Sequence, residues 1–459
     1  MRAHCLLRAR QIVPALLFLS SGIATGQLAN ASAAATGLSG AFTARATGYN
    51  AVFWNPANLA MPGNPGFSLT LGALDGAADL TPIDLVKLKP YTSKCSVSSP
   101  GCNNVPASVR TAWLQEVTTA GGEKGGGGGG VTWLGFSLGP LAFQANTKVA
   151  TDANLSPDAF EALLFGNAGR DTLNNSVHTL QLAGSKFQAA AYSTGAVSYA
   201  LPLASLIPLA NFAVGVTAKY TVGHALVMAL DNGSSFGTNE VGNFAAVLPD
   251  TLNRAQCPDT LPGKTKFCAS KLPSTNVGSG VGFDLRAAWT IPGFRFGVSV
   301  QNVVNTFKWD TTKFAERSAT ALFSQAGATT KTDSVDSPYA NAPAALRAQV
   351  AAMKFKPVIA AGMSFDWLPQ MTVSADIRQQ AGDGIEVGPK SLIAAGIEYR
   401  IIPFIPLRAG VSSMTGGFGV SGGVGVHLLG FEMGVAAYLR KRNGSQDSGG
   451  TINLVSIRP

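Results

Sequence analysis

The sequence predicts an all-β fold: a transmembrane antiparallel β-barrel of about fourteen strands, with short helices in its extracellular loops. Only 13% of the 459 residues are charged, about half of the ~25% that soluble domains carry. Glycine is frequent, with 53 residues, while the apolar content is an ordinary 46%. Beyond the first 30 residues, no stretch has the roughly 20 uninterrupted apolar residues of a membrane helix. A barrel needs no such stretch to span a bilayer.

The N-terminus is typical of an export signal. Three arginines in the first ten residues are followed by an apolar run over residues 12–23 and by small residues near positions 26 and 31. The apolar run is too short to anchor the chain in a bilayer. We therefore expect a signal peptide over 1–31, an N-terminal segment over 32–64 and the barrel over 65–459.

Four cysteines follow the signal in two close pairs, Cys95 with Cys102 and Cys257 with Cys268. An even number of cysteines in an exported chain favours two local disulfides. A zinc site is the alternative, but neither pair has a histidine nearby.

Apolar residues alternate with polar or small ones along much of the chain, as in strands with one face in lipid. Short connections that contain Gly or Pro alternate with long ones along the chain, as in barrels with short periplasmic turns and longer extracellular loops. An even count of fourteen strands leaves both chain ends facing the periplasm. The predicted strands start near Phe67, Val131, Leu141, His178, Phe212, Gly280, Phe294, Lys356, Met371, Leu392, Leu407, Val420, Phe431 and Thr451.

The long loops are expected to carry helices over 107–119, 312–326 and 342–353, and a flexible run of glycines over Gly125–Gly130. Apolar loop helices over Leu80–Leu88 and Phe160–Phe165 are expected to form an initial capture site at the outer mouth. Aromatic residues towards strand ends are expected to form girdles. These aromatics are Tyr199, Tyr220, Trp289, Trp309, Trp367, Tyr399 and Tyr438.

Charged residues of both signs occupy the inward-facing positions of the predicted strands. A paired network that stabilises the wall is the first interpretation, and a lining that orients an amphipathic solute is the second. The set comprises Lys219, Asp284, Arg286, Arg295, Asp366, Asp376, Arg378, Glu398, Arg400, Arg408, Glu432 and Arg440.

Residues 32–64 are small and polar and do not alternate, so they are not expected to form a strand. A fourteen-stranded barrel leaves an open lumen, and a hatch formed by this segment would plug it. Within the segment, Pro56 fixes its own φ and keeps Asn55 out of the helical region, which makes a rigid corner. A plain helix start, with Asn55 as the N-cap and Pro56 in the first turn, is the alternative.

Two runs in this segment, Gly37–Ala46 (GLSGAFTARA) and Ala51–Ala60 (AVFWNPANLA), resemble the FadL/OmpP1/TodX-type outer-membrane hydrophobic-compound channels. The resemblance implies passive uptake of long-chain fatty acids or aromatic hydrocarbons, with hatch gating and lateral release into the bilayer. The implied hatch residues are Phe53, Trp54, Asn55, Pro56 and Ala57.

Other relatives point to an alternative. PorV-like barrels share the Asn-Pro-Ala region and bind proteins, so a protein-binding or assembly barrel is the second interpretation, with its partner at the extracellular loops. The FWNPANLA form also resembles exported barrels of a Gemmatimonadota-type branch.

No catalytic, metal or cofactor site is expected. Ser137 and Ser421 lie in G-x-S-x-G matches, but both fall within or beside strands rather than at a strand-to-helix turn. His178, His224 and His427 lie on separate strands and have no metal-binding spacing. Lysine and arginine are dispersed, which argues against nucleic acid as a partner. The expected partners are outer-membrane lipid, a hydrophobic solute and the outer-membrane insertion machinery.

Overall fold

The computed structural model describes residues 32–92, 105–165, 179–203, 211–236, 240–249, 256–258, 265–267, 276–323, 329–385, 390–415, 417–442 and 445–458. Fourteen antiparallel strands form one closed barrel in chain order. They are β1 (Phe67–Thr70 and Ala73–Thr81), β2 (Glu123–Leu138), β3 (Leu141–Leu155), β4 (Lys186–Pro202), β5 (Asn211–Asp231), β6 (Gly278–Ile291), β7 (Phe294–Asn305), β8 (Val358–Leu368), β9 (Met371–Gln380), β10 (Ser391–Ile402), β11 (Ile405–Met414), β12 (Gly417–Leu428), β13 (Phe431–Arg442) and β14 (Ser445–Ile457).

The barrel closes because β14 pairs with β1. Leu69 lies opposite Ile457, and Gly76 lies opposite Gly450. Closure leaves no free strand edge in the wall, which a spanning structure in lipid requires. The predicted architecture and strand number are confirmed. Predicted strand starts lie within three residues of those observed, except in β2, β4 and β14, which begin six to eight residues away from the predicted positions.

One wrong prediction concerns the glycine run. Gly125–Gly130 is not a free loop but the first half of β2, paired with β1 on one side and β3 on the other. Glycine has no side chain, so it gives no alternation signal. The two neighbouring ladders supply the backbone hydrogen bonds that hold it extended.

The described residues include six short α-helices. They are α1 (Ala33–Gly37), α2 (Ala51–Trp54), α3 (Leu85–Thr92), α4 (Ala107–Ala120), α5 (Pro157–Phe165) and α6 (Ala344–Ala352), with 3-10 turns at Gly48–Asn50, Pro56–Ala60, Thr311–Lys313 and Tyr339–Asn341. The predicted helices over 107–119 and 342–353 are confirmed as α4 and α6. Among the described residues, no helix is long and apolar enough to cross a membrane.

The predicted helix over 312–326 is wrong. Phe314–Phe323 is a strand between Glu240–Pro249 and Thr329–Pro338, and Glu240–Pro249 pairs in turn with β5. This sheet continues the wall beyond the barrel at the end where the long connections lie, here called the loop end. The opposite end is the turn end. The remaining short strands are Leu180–Gln181, Ser235–Phe236, Gln256–Pro258, Thr265–Phe267 and Lys308–Trp309.

The outer face of the barrel is an apolar belt. Large hydrophobic side chains are exposed on every second residue of successive strands, which soluble surfaces avoid and a bilayer covers. Belt residues include Val216, Tyr220, Phe283, Leu285, Ile359, Met363, Ile377, Val411, Val420, Val424, Val435 and Leu439. Tyr199, Trp367 and Tyr399 are exposed towards the turn end, as a girdle requires. Trp309 is instead buried at the loop end, and Tyr438 faces the interior, where its ring stacks under Arg440.

The disulfide prediction falls outside the described part of the chain. Cys95, Cys102 and Cys268 are not among the described residues, and of Cys257 only the backbone is described, in Gln256–Pro258. The two pairings stay predictions.

A matched pair of valines tests the belt. Val411 on β11 and Val86 on α3 are 57% and 63% exposed, but only Val411 lies on the belt. Arginine on the lipid face near the middle of a bilayer costs about 2–4 kcal/mol. We expect Val411→Arg to lower the free energy of unfolding in lipid vesicles by that amount. Val86→Arg is expected to change it by less than about 0.5 kcal/mol. Equal losses in a denaturant titration would contradict a lipid-covered belt.

Candidate functional site

Residues 32–64 fill the lumen. At one side of the barrel, the backbone N–H of Ala33 donates to Asn453 Oδ1 of β14 at 3.1 Å. At another, Arg286 of β6 donates to the carbonyl of Val52 at 2.7 Å. The segment consists of α1, α2 and two 3-10 turns, and contributes no strand to the wall. It therefore bridges the lumen through side-chain contacts rather than through a β-ladder.

The Asn-Pro-Ala corner lies against β6. Asn55 is extended, with φ −158° and ψ 93°, and its Oδ1 accepts from the N–H of Ala57 at 3.1 Å. Its Nδ2 donates to the carbonyl of Ala287 at 3.0 Å. Asn55 thus caps the 3-10 turn Pro56–Ala60, as the helix-start alternative requires, and also ties the corner to the wall. Both functions follow from an amide side chain that donates and accepts at once.

Five inward-facing glycines make room for the segment. A Cβ built on any of them would come under 3.0 Å from atoms of residues 38–57, closer than real Cβ atoms approach. Glycine weakens a strand interior and often marks a close backbone approach. We call these five residues, on five different strands, the glycine track: Gly215, Gly297, Gly362, Gly396 and Gly410.

A buried ion network joins the segment to the wall. Asp284 of β6 accepts from Lys219 at 2.6 Å and from Arg286 at 2.9 Å. Arg286 also donates to the carbonyls of Val52 and Phe53, at 2.7 and 3.2 Å. These carbonyls end the short helix α2, where the orphan C=O groups need donors. Because buried charges are costly unless paired and hydrogen-bonded, the network fixes where α2 can sit.

A second network lies four strands further around the wall. Glu398 of β10 pairs with Arg45 of the segment and with Arg408, both at 2.8 Å, and with Arg400 at 3.2 Å. Beside it, the N–H of Thr43 donates to Asp376 Oδ2 at 2.8 Å. Residues 43 and 45 are therefore held to β9 and β10 by carboxylates that face inward.

The other charged residues of the predicted lumen set lie apart from these contacts. Arg378, Glu432 and Arg440 are buried in the interior, and Glu432 contacts His427 at 3.3 Å. Arg295 and Asp366 form a 3.6 Å pair that is largely exposed at the turn end.

The last barrel strand and the residue after it also hold the segment. Thr36 and Thr451 share a hydroxyl hydrogen bond of 2.7 Å, and Tyr49 and Ser456 share one of 2.8 Å. Arg458 donates to the carbonyl of Thr47 at 2.9 Å. These bonds connect residues more than 400 positions apart in the chain.

A cavity of about 50 Å³ lies between the segment and the loop end. Phe53 contributes to its lining from the segment. A 150 Å³ cavity binds benzene, whereas about 30 Å³ is the share of one water, so this cavity is too small for an aromatic ring. Its wall includes three lysines and several amides: Lys148, Lys219, Lys356, Asn146, Gln301, Asn302, Asn305 and Gln380. Two threonines and four aromatic or aliphatic residues complete it: Thr194, Thr221, Tyr192, Phe355, Val358 and Ile385.

The capture site expected from the loop helices is not supported. Leu80 and Leu88 pack with Phe160, Leu164 and Trp113 in one cluster, and all five side chains are buried. The apolar sides of these helices face each other, because α3, α4 and α5 form a small core of their own.

The serine motifs show no catalytic arrangement. Ser137 lies 2.7 Å from the hydroxyl of Ser68, and Ser421 lies 2.8 Å from that of Ser39. His224 contacts Ser193 instead, at 2.7 Å, and His178 falls outside the described residues. Within the described ranges, no group of three or more His, Cys, Asp or Glu is placed to hold a metal ion.

Sequence reasoning missed the glycine track, and with it Lys148 and Lys356 in the cavity wall. A signal for the track is present in the sequence. Gly215 occupies an inward-facing position of a strand that the alternation predicts, where a glycine indicates close packing. Lys356 carried no signal, because it lies just before β8 and reaches the cavity only through the fold of a long connection.

Alanine at Gly215 tests whether the track seats the segment. The new Cβ would collide with backbone atoms of Pro56 and Ala57, whereas at Gly195 on β4 it would meet nothing within 4 Å. Overpacking costs about 1–3 kcal/mol, equivalent to a roughly five- to hundredfold change in an opening equilibrium. We expect Gly215→Ala to accelerate amide hydrogen exchange over residues 51–60 by such a factor and Gly195→Ala to leave it unchanged. Unchanged exchange in both variants would show that the contact does not restrain the segment.

Comparison with known proteins gives a family of unknown function and a set of barrels. Residues 129–303 match the model of DUF5723, a family of unknown function. No curated protein matches the chain. Similar solved structures include the Ralstonia pickettii toluene transporter TbuX, at 13% identity and TM-score 0.48, covering 94% of this chain and 99% of that one. The Pseudomonas putida toluene transporter TodX is 11% identical, with a TM-score of 0.48, and the match covers 94% of this chain and 99% of that one. A Pseudomonas aeruginosa FadL homologue is 10% identical, with a TM-score of 0.48, and the match covers 95% of this chain and 100% of that one. These structures are of the FadL/TodX type that the N-terminal residues resemble.

Proposed function

We propose that this protein is an outer-membrane channel for the passive uptake of hydrophobic small molecules, in which residues 32–64 form a hatch that gates the lumen. One observation carries the proposal: the segment fills the lumen without pairing with any wall strand. It is held by hydrogen bonds, ion pairs and packing against glycines. Such contacts can be exchanged without opening the barrel, whereas a strand in the wall cannot leave without exposing backbone groups to lipid.

The structure corresponds to a closed state in this proposal. The cavity of about 50 Å³ lies above Phe53, and it is too small for the solutes proposed. A solute that reaches the cavity must therefore displace Phe53 and the corner that follows it. The displaced hatch would let the solute leave sideways through the wall into the bilayer.

The residues that line the cavity suit a solute with an apolar body and one polar end. Aromatic side chains and three lysines share the same small space. Lys148 is paired with Asp75 at 2.9 Å and Lys219 with Asp284 at 2.6 Å. Lys356 makes no ion pair among the described residues and has only a longer-range electrostatic interaction with the exposed Asp383, so a carboxylate can approach its ammonium. A long-chain fatty acid could place its carboxylate at this lysine, whereas an aromatic hydrocarbon would enter without that contact.

The proposal includes a location and an assembly route. The apolar belt would lie in the bacterial outer membrane, with the loop end outside and both chain termini in the periplasm. Export would use the signal over 1–31, and the two disulfides would form in the oxidising periplasm. Insertion would depend on the outer-membrane insertion machinery. The charged lumen residues would stabilise the wall and seat the hatch rather than conduct ions.

The alternative is a barrel that binds a protein partner, as PorV-like barrels do. The sheet beyond the barrel favours it, because Thr329–Pro338 pairs only with Phe314–Phe323 among the described strands. An exposed strand edge is a surface on which another chain can add a strand. In this alternative the hatch would be a permanent plug.

Uptake by whole cells separates the two functions. Cells that lack their own hydrophobic-compound channel would express the wild type or the double variant Asn55→Ala, Pro56→Ala. Labelled long-chain fatty acid and labelled toluene would be supplied separately. We expect the wild type to take up at least one solute, and the hatch variant to lose most of that uptake. The variant loses both hydrogen bonds of Asn55 and the fixed φ of Pro56, so Phe53 is no longer positioned beneath the cavity.

Asn211→Ala is the matched control. Asn211 is exposed at the turn end and donates to Thr290 Oγ1 at 3.3 Å, a bond between two wall strands in which residues 32–64 take no part. Surface exposure of every variant is checked before rates are compared. No uptake of either solute by correctly inserted wild-type barrel would reject the channel and favour the protein-binding alternative. Equal uptake by wild type and hatch variant would reject hatch gating alone.

Methionine at Lys356 tests the solute class. A hydrogen bond to a charged group contributes about 1.5–3 kcal/mol, or on the order of tenfold or more in affinity. We expect Lys356→Met to reduce the initial rate of fatty-acid uptake by that order and to leave toluene uptake unchanged. Lys354→Met, two residues away and outside the cavity wall, is expected to change neither rate. A matched loss of toluene uptake in Lys356→Met would point to a structural defect instead.

A further inference from the structure

Part of the connection between β7 and β8 folds into the loop end of the barrel. Phe307 and Trp309 are buried there, and Lys308–Trp309 pairs with the start of β6. Two glycines allow this approach. A Cβ on Gly223 would come under 3.0 Å from the ring of Trp309, and one on Gly280 would collide with the backbone of Phe307.

Six rings form a continuous row from the cavity to the surface. Tyr192 and Phe355 contribute to the lining of the cavity, with ring centroids 5.2 Å apart. Tyr339, at the other end, is partly exposed. The aromatic row comprises Tyr192, Phe355, Phe307, Trp309, Phe314 and Tyr339, with successive centroids 5.2, 5.2, 5.1, 6.3 and 6.4 Å apart.

Trp309 carries a buried donor in the middle of this row. Trp309 is only 7% exposed, and its Nε1 has no hydrogen-bond partner in the part of the chain that the structure describes. Phe307 and Phe314 meet it edge to face, and neither offers an acceptor. By contrast, Nε1 of the exposed Trp133 donates to Thr147 at 2.8 Å. An unpaired buried donor is destabilising, and a bound acceptor would remove that penalty.

We infer that the aromatic row is the entry site for the solute and that Trp309 selects planar aromatic compounds with a hydrogen-bond acceptor, such as aryl ketones. The inference rests on the proposed channel function and adds a site that lies before the cavity. An aromatic solute entering the row replaces ring–ring contacts with equivalent ones of its own. The acceptor then pairs with the indole N–H of Trp309, which has no hydrogen-bond partner among the described residues.

Helix α6 is the element that must move. Leu346 and Val350 of α6 are buried in the same cluster as Phe307, Trp309 and Phe314, and Tyr339 packs against this cluster. Displacement of α6 would uncover the row from the loop end and leave the fourteen wall strands paired. Entry and hatch opening would then be two separate steps, with the cavity between them.

Two probes of nearly equal shape test the selectivity. Acetophenone has a carbonyl where α-methylstyrene has a carbon–carbon double bond. Their affinities for the detergent-purified full chain are measured by calorimetry, in the wild type and in Trp309→Phe. We expect the wild type to prefer acetophenone and the variant to reduce the ratio of affinities by about three- to tenfold, because only one probe loses a hydrogen bond. Comparing ratios cancels the partition of each probe into detergent.

Trp133→Phe is the matched control, because it removes an indole N–H from a residue that is 60% exposed on the outer surface. Its affinity ratio is expected to equal that of the wild type. A second measurement needs no variant of Trp309 to fold. Among the six indole N–H signals of the wild type, one is expected to move downfield with acetophenone and not with α-methylstyrene.

The outcomes separate this inference from the channel itself. An unchanged ratio in Trp309→Phe, or no selective indole shift, overturns the role of Trp309 even if cells take up hydrophobic solutes. Failure of both probes to bind a barrel that does transport toluene overturns the entry site and leaves the channel standing. Failure of binding together with failure of uptake rejects both.

Discussion

The buried carboxylate of Asp284 is the charge around which the barrel interior is arranged. It accepts from Lys219, Arg286 and the N–H of Asn302, at 2.6, 2.9 and 2.7 Å. Each partner leads to a different part of the molecule. Arg286 donates to the carbonyls of Val52 and Phe53, and Lys219 borders the cavity. The side-chain amide of Asn302 donates to the carbonyl of Lys356 at 3.0 Å. Breaking such a buried pair costs about 3–5 kcal/mol, because the remaining charges are left without compensation. The hatch, the cavity and the start of β8 therefore share one electrostatic anchor.

The interior is filled at two depths, and the two fillings differ in chemistry. Residues 32–64 are held by polar contacts and by backbone packed on glycines. The filling at the loop end consists of aromatic rings and of the apolar side of α6. In the proposed channel, an aromatic solute could replace the ring contacts of the second filling with its own. The small cavity between them is bordered by both kinds of residue, which suits a compound with one end of each kind.

The barrel could be predicted from the sequence because its two faces alternate with a strict period of two. Runs such as Phe212–Val222 have one side in lipid and the other against the hatch, so pattern and environment agree. Prediction was wrong where this agreement is lost. Gly125–Gly130 has no side chains to alternate, and Phe314–Phe323 has helix-like local composition but pairs with strands that are distant in sequence.

The site was harder to predict than the fold. Local residues predict the Asn55–Pro56 corner, since capping acts over two or three positions. The glycine track and the aromatic row depend on which strands become neighbours and on how a long connection folds inward. Such juxtapositions leave no local pattern, although a glycine at an inward position of an otherwise regular strand is a usable sign of close packing.

The bonds between the hatch and the C-terminal part of the chain bear on the order of assembly. Thr36, Thr47 and Tyr49 are synthesised first, yet their partners Thr451, Arg458 and Ser456 are synthesised last. These three bonds can form only when β14 has joined β1 and brought those partners into place. The complete set of contacts made by residues 32–64 is thus a signature of a closed barrel, and a barrel that lacks β14 would have both an open seam and a more loosely held N-terminal segment.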